Sequence, residues 1–130
     1  MKRIIIIFVS LVMALGLYGQ EGKAFRSLSA TEFEKALKDT SVVLVDVRTS
    51  EEHSAGFIAG TRFNIDVLKD SFEKTACGIL PKDRVIAVYC RSGHRSKAAA
   101  GILAKNGYRV MELESGFNGW KAAGKPVSVK

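Results

Sequence analysis

Arg84-Val85-Ile86-Ala87-Val88-Tyr89-Cys90-Arg91-Ser92-Gly93-His94-Arg95-Ser96 is the stretch that decides the fold. Valine, isoleucine and tyrosine follow Arg84 without polar alternation, which predicts a strand buried on both faces. From Ser96 to Asn106, the residues Ala98, Ala99, Ile102 and Leu103 are spaced to pack one side of a helix, and Gly107 is its expected C-cap. A strand that passes through a short polar loop into a helix is a building unit of a parallel α/β sheet.

The rest of the chain repeats the pattern. Residues 41–47 (Ser-Val-Val-Leu-Val-Asp-Val) form a second β-branched run without alternation, and 108–113 a third strand. Ser29-Ala30-Thr31-Glu32 is a capping box, with Phe33, Ala36 and Leu37 at helical spacing behind it. Ser50-Glu51-Glu52-His53 is a further helix start that stops near Gly56, and a last helical segment is expected over 116–123. Strands alternating with helices, with no hairpin signals, predict a parallel sheet covered on both faces. In such sheets ligands bind beyond the carboxyl ends of the strands. Asp46-Val47-Arg48 and the run from Cys90 share that edge.

The chain has 130 residues, room for one ordinary domain. Residues 1–19 read as a basic start (Lys2, Arg3), an apolar run from Ile4 to Leu17 and small residues before Gln20. That is the pattern of a signal peptide, too short for the roughly 18–20 apolar residues of a spanning helix. The expected organisation is a signal peptide over 1–19 and one domain over 20–130. The protein is then exported, periplasmic in a bacterium, with a membrane anchor by uncleaved signal as the alternative. Loss of Lys2 and Arg3 takes the formal net charge from +7 to +5. The basic residues are scattered and do not interleave with aromatics, so no nucleic-acid partner is expected.

Cys77 and Cys90 are the two cysteines. A structural disulfide is the usual use of an even count outside the cytosol, but a domain of about 110 residues holds a core without one. The setting of Cys90 points to reactivity. A thiol between a strand end and a helix N-terminus lies at the positive end of the helix dipole. Successive loop N–H groups can curl round its sulfur as an anion cradle, which Gly93 helps by its backbone freedom. Arg91 and Arg95 add positive charge, and His94 adds some when protonated. These groups favour thiolate over thiol and suit an oxyanionic substrate. The expected step is nucleophilic attack by sulfur with a covalent intermediate.

Asp46-Val47-Arg48 with Glu51-Glu52, and then Gly56-Phe57-Ile58-Ala59-Gly60-Thr61, resembles the first signature of the rhodanese family. Val88-Tyr89-Cys90-Arg91-Ser92-Gly93-His94-Arg95-Ser96 with Ala98-Ala99 resembles the second. Gly107-Tyr108, Val110, Gly116-Phe117 and Trp120 resemble the closing segment. The resemblance runs from Phe25 to Pro126 and is greatest to small periplasmic single-domain members, including the phage-shock type. It implies a single rhodanese-like α/β domain with a central parallel sheet of about five strands and helices on both faces. It also implies a sulfurtransferase: Cys90 takes sulfane sulfur from thiosulfate or a similar donor, becomes a persulfide, and passes the sulfur to cyanide or a thiol. Arg91, Ser92, Gly93, His94, Arg95 and Ser96 then bind substrate, and a protein thiol is a further possible partner. No metal or organic cofactor is implied, and a monomer is expected. The chain departs from the family where Phe57 replaces a frequent histidine and where Asn64-Ile65-Asp66 replaces Asn-x-Pro.

A cysteine phosphatase or arsenate reductase on the same architecture is the rival reading. Its loop places five residues between Cys and the clamping Arg. Here four separate Cys90 from Arg95, and position 96 is Ser. The shorter loop is expected to make a tighter cradle, better suited to a terminal sulfur than to a phosphate. A third reading is a non-turnover carrier that delivers persulfide sulfur to one protein partner. Asp46 and Arg48 are read as a pair that braces the loop, against a surface ion pair worth little. His94 is a proton donor or an exposed loop residue, and His53 an ordinary helix-surface residue. Cys77 is expected in a connecting loop, either passive or resolving an oxidised Cys90. Phe117 and Trp120 are read as a seal for the last helix, and Met111 and Phe63 as core.

Overall fold

The structure, a computed structural model, describes residues 24–130. The expected signal peptide over 1–19 lies outside the described residues. The first strand, β1 (Arg26–Leu28), leads into α1 (Ala30–Ala36), and β2 (Val43–Asp46) into α2 (Ser50–Ser54). Two short strands follow, β3 (Phe57–Ile58) and β4 (Phe63–Asn64), and then α3 (Phe72–Ile79). The remainder is β5 (Ile86–Tyr89), α4 (His94–Lys105), β6 (Val110–Leu113), α5 (Gly116–Ala122) and β7 (Val127–Ser128).

Five strands form one parallel sheet in the order β1-β6-β5-β2-β4. All four residues of β2, β5 and β6 are buried, as their apolar runs predict. Side chains alternate between the two faces. Val43 and Val45 pack with Ile86 and Val88 on one face, against Phe72 and Ala76 of α3 and Ala99 and Leu103 of α4. Leu44, Ala87, Tyr89, Met111 and Leu113 line the other face, against Phe33 of α1 and Phe117 and Trp120 of α5. Phe33 meets Trp120 edge to face at 6.2 Å, which closes that layer.

The sheet places the site. From β2 the chain moves outward to β4, and from β5 it moves the opposite way to β6. The two connections therefore part company between β2 and β5, leaving a crevice at their carboxyl ends. Asp46 and Tyr89 are partners in register there, so the segments that follow them, with Arg48 and Cys90, emerge side by side.

The predicted capping box forms, and a second one forms at α2, where the sequence predicts only a helix start. Ser29 and Glu32 exchange hydrogen bonds at the start of α1, at 2.9 and 3.1 Å. At α2 the cap is Thr49, one residue earlier than Ser50, and Glu52 answers it. Other expectations need correction. Helix α4 begins at His94 rather than Ser96, because Gly93 (φ +101°) is its N-cap. Cys77 lies inside α3 rather than in a loop: Phe72, Ala76 and Leu80 at spacing four bury one side of that helix, and Pro81 ends it. An antiparallel pair, β3 with β7, was not foreseen, since two-residue strands carry no periodic signal. Among the described residues no helix is long and apolar enough to cross a membrane.

Candidate active site

Cys90 follows the last residue of β5 and is 1% exposed. The chain then folds over its own sulfur. The backbone N–H of Gly93 donates to Sγ at 3.1 Å and that of Ser96 at 3.2 Å. Both belong to the start of α4, whose unpaired amides carry the positive end of the helix dipole. Gly93 must be glycine twice over. Its φ of +101° is unfavourable for a side chain, and a Cβ there would run into the carbonyl oxygen of Glu114.

The loop is held from its outer side by the start of α5. The N–H of Phe117 donates to the Cys90 carbonyl at 2.8 Å, and that of Asn118 to the Arg91 carbonyl at 3.0 Å. Gly116 (φ +65°) lets α5 come this close, since a Cβ there would overlap the backbone of Arg91. The amides near Cys90 thus turn inward to the sulfur while its carbonyls turn outward to α5. Among the described residues no side-chain base stands within hydrogen-bonding distance of Sγ. The arrangement suits a sulfur that reacts as an anion, without a base to take its proton.

The cations read as an anion cradle have divided tasks. Arg91, Ser92 and His94 are exposed on the loop. Neither Arg91 nor His94 has a carboxylate partner among the described residues. Arg95 is different. Its Nη1 and Nη2 bond to the two carboxylate oxygens of Glu52 at 2.8 and 2.9 Å. That pairing holds the Glu52 carboxyl well below its usual range, at about 2. Ser96 turns its hydroxyl away from the sulfur, to Glu112 Oε1 at 2.7 Å.

Asp46 and Arg48 form a buried pair, 0% and 4% exposed, rather than a surface one. Arg48 donates from Nε to Oδ1 at 2.9 Å and from Nη2 to Oδ2 at 2.7 Å. Nη2 also donates to the Gly56 carbonyl at 2.7 Å. Burial acts against the Arg48 charge, but these bonds and the charge of Asp46 outweigh it and push its pKa above the usual arginine value. The guanidinium carbon lies 4.4 Å from the centre of the Phe117 ring. Arg48 therefore touches α5, whose first amides hold the Cys90 loop. His53 is not the ordinary surface residue expected: its Nδ1 is 2.9 Å from Asp46 Oδ2, and its ring stacks on Phe57 at 4.4 Å.

Three participants were not read from the sequence: Glu52 as the partner of Arg95, and Glu112 with Lys97 beneath Ser96. Glu52 carried no signal beyond a helix start and the first family signature. Glu112 did carry a signal, since an acid between Met111 and Leu113 in a strand buried on both faces needs a partner.

The rhodanese-like domain family matches residues 29–123. A sulfurtransferase of Allochromatium vinosum is 35% identical over 104 residues, spanning 77% of this chain and 92% of the relative. The thiosulfate sulfurtransferase GlpE of Pseudoalteromonas translucida is 29% identical over 103 residues, with the same two coverages of 77% and 92%. Among solved structures, a rhodanese-related protein of Thermoplasma volcanium is similar with a TM-score of 0.71 and 31% identity, covering 82% of this chain and all of that one. Fold, cysteine loop and these relatives agree, and the chain belongs to the rhodanese-like domain family.

Proposed function

We propose that this protein is a thiosulfate sulfurtransferase that works through a persulfide on Cys90. The observation that carries the reading is the pair of backbone amides on Sγ, at 3.1 and 3.2 Å, in a loop with two exposed basic side chains that no carboxylate among the described residues pairs. The Cys90 thiolate attacks the outer sulfur of thiosulfate, the S–S bond breaks, and sulfite leaves with the electron pair. The Cys90 persulfide then gives its outer sulfur to cyanide or a thiolate, and the Cys90 thiolate returns. Each half-reaction is a displacement at sulfur, so the cycle needs no metal and no outside oxidant. The persulfide carries its negative charge one atom further out than the thiolate. Arg91 and His94, both exposed on the same loop, attract the anionic donor.

The phosphatase reading is disfavoured by Arg95. A phosphate clamp presents a fork of guanidinium N–H groups to the anion, and here the fork formed by Nη1 and Nη2 faces the Glu52 carboxylate. The test is thiosulfate plus cyanide with the chain from Gln20 onward, read as thiocyanate, with Cys90→Ser alongside. Turnover that is lost in the variant supports the reading. A well-folded protein that makes no thiocyanate but releases phosphate or reduces arsenate overturns it. Residues 1–19 are proposed to export the protein, and N-terminal sequencing of the material released from cells checks cleavage before Gln20.

A further inference from the structure

The two residues whose amides face the Cys90 sulfur are held, on their other sides, by one ion pair. Glu112 is on β6, beside Val88 of β5 in the sheet register, and is 0% exposed. Its Oε1 accepts the Ser96 hydroxyl at 2.7 Å, and its Oε2 lies 3.1 Å from Lys97 Nζ. Lys97 Nζ in turn donates to the Gly93 carbonyl at 3.4 Å. Ser96 and Gly93 are the two amide donors to Sγ. We propose that Glu112 and Lys97 are a positioning pair for the cysteine loop: Glu112 fixes Ser96, Lys97 fixes Gly93, and each cancels the charge that the other would impose on Cys90.

The electrostatics require the pair to act together. A bare carboxylate buried beneath the loop would repel a thiolate or a persulfide anion on Cys90. A bare ammonium would attract it but leave Ser96 without its anchor. Together they cancel, so the amides and the exposed cations of the loop set the charge balance at sulfur. The other charged groups near the site are already matched: Arg95 by Glu52, and Arg48 by Asp46, which His53 also touches. Glu114 reaches Lys97 only at 4.0 Å and is 62% exposed, so it cannot replace Glu112. Asp66 also acts on Arg95, the cation whose charge is felt at Cys90, and Arg91 and His94 are the exposed cations of the loop.

The inference rests on Cys90 being the reactive thiol, but not on the identity of the sulfur donor. The test is therefore made without a donor: the rate of iodoacetamide alkylation against pH, with adducts assigned to Cys90 or Cys77 by peptide mass, on the full chain. K97M leaves Glu112 unpaired, and the midpoint of the Cys90 profile is expected to rise by about one pH unit. E112Q keeps an acceptor for Ser96 but leaves Lys97 unpaired, and the midpoint is expected to fall. The double variant K97M/E112Q removes both charges and is expected to return close to the native midpoint. K97R is expected to keep the native profile. If K97M does not fold, the downward shift of E112Q and its reversal in the double variant decide the matter. Midpoints of folded E112Q and K97M/E112Q that coincide with the native one would overturn the proposal, leaving the pair a purely structural contact. Absence of thiocyanate turnover alongside the expected shifts would instead overturn the donor chemistry and leave the positioning intact.

Discussion

Arg95 Nη1 lies 2.8 Å from Glu52 Oε1, and Nη2 lies 2.9 Å from Oε2. This forked pair ties the first turn of α4 to α2, a helix that buries none of its own residues. The contact thus joins the segment after β2 to the segment after β5 across the crevice. It has a consequence for stability against pH. The Arg95 hydrogen bonds lower the Glu52 carboxyl from the usual 4.5 to about 2, with burial acting in the opposite direction. A carboxyl lowered on folding stabilises the fold above its unfolded value, and the contribution disappears as pH falls through the folded one. Glu52→Gln should therefore destabilise by about 1–2 kcal/mol at pH 7, after discounting for its partly exposed setting. The difference from the native chain should shrink between pH 4.5 and pH 2. Urea unfolding of both proteins at pH 7 and at pH 2.5 checks this, and a difference that does not change with pH would contradict it.

Gly93→Ala tests the cradle by geometry alone. The new methyl group meets the Glu114 carbonyl, at a φ of +101° that a side chain disfavours. The loop must open, and the amide at 3.1 Å from Sγ moves with it. The expected cost is about 2–4 kcal/mol of stability, with thiocyanate formation reduced by a factor of about a hundred or more. Turnover close to native in a folded Gly93→Ala protein would show that the Gly93 amide does not matter.

Arg91 should behave in the opposite manner. Its side chain is exposed, and no carboxylate among the described residues pairs with it. Removing it costs the fold little but weakens attraction of an anionic donor. Arg91→Ala should raise the KM for thiosulfate by about tenfold at low salt, with a smaller change in kcat. The gap should narrow as salt is added. Steady-state kinetics at two ionic strengths decides it: a change confined to kcat would place Arg91 in the chemistry rather than in capture.

How far the sequence could be read follows from where each signal lay. The strands β2, β5 and β6 and the helix after Cys90 were legible because buried runs and helical spacing are local. The Cys90 loop was legible because the strand, the thiol, Gly93 and the helix lie in one continuous stretch. Partners were not. Arg95 and Glu52 are 43 residues apart, and Ser96 and Glu112 are 16 apart. Pairing across such separations is set by sheet order, which local patterns do not encode. His53 was misread for a different reason, since Asp46 is only seven residues away. The turn from β2 into α2 brings the ring back to the last residue of the strand, and helical spacing within 50–54 does not show that contact.

The Asp46–Arg48 pair allows the sharpest test of what holds the site together. Arg48 is 4% exposed, with Asp46 as its buried countercharge, the Gly56 carbonyl as a further acceptor and the Phe117 ring 4.4 Å away. Asp46→Ala leaves that guanidinium charged and nearly dry, a loss of about 3–5 kcal/mol. It also takes away the acceptor 2.9 Å from His53 Nδ1. Arg48→Met added to Asp46→Ala removes the stranded charge and leaves an apolar chain against Phe117. The double variant should therefore be more stable than Asp46→Ala alone, although it carries one more substitution. Urea unfolding of the native chain, Asp46→Ala and the double variant measures this directly. If the second substitution adds to the loss instead of relieving it, Arg48 acts mainly through its bond to Gly56 and its contact with Phe117. The charge of Asp46 would then be incidental to the loop.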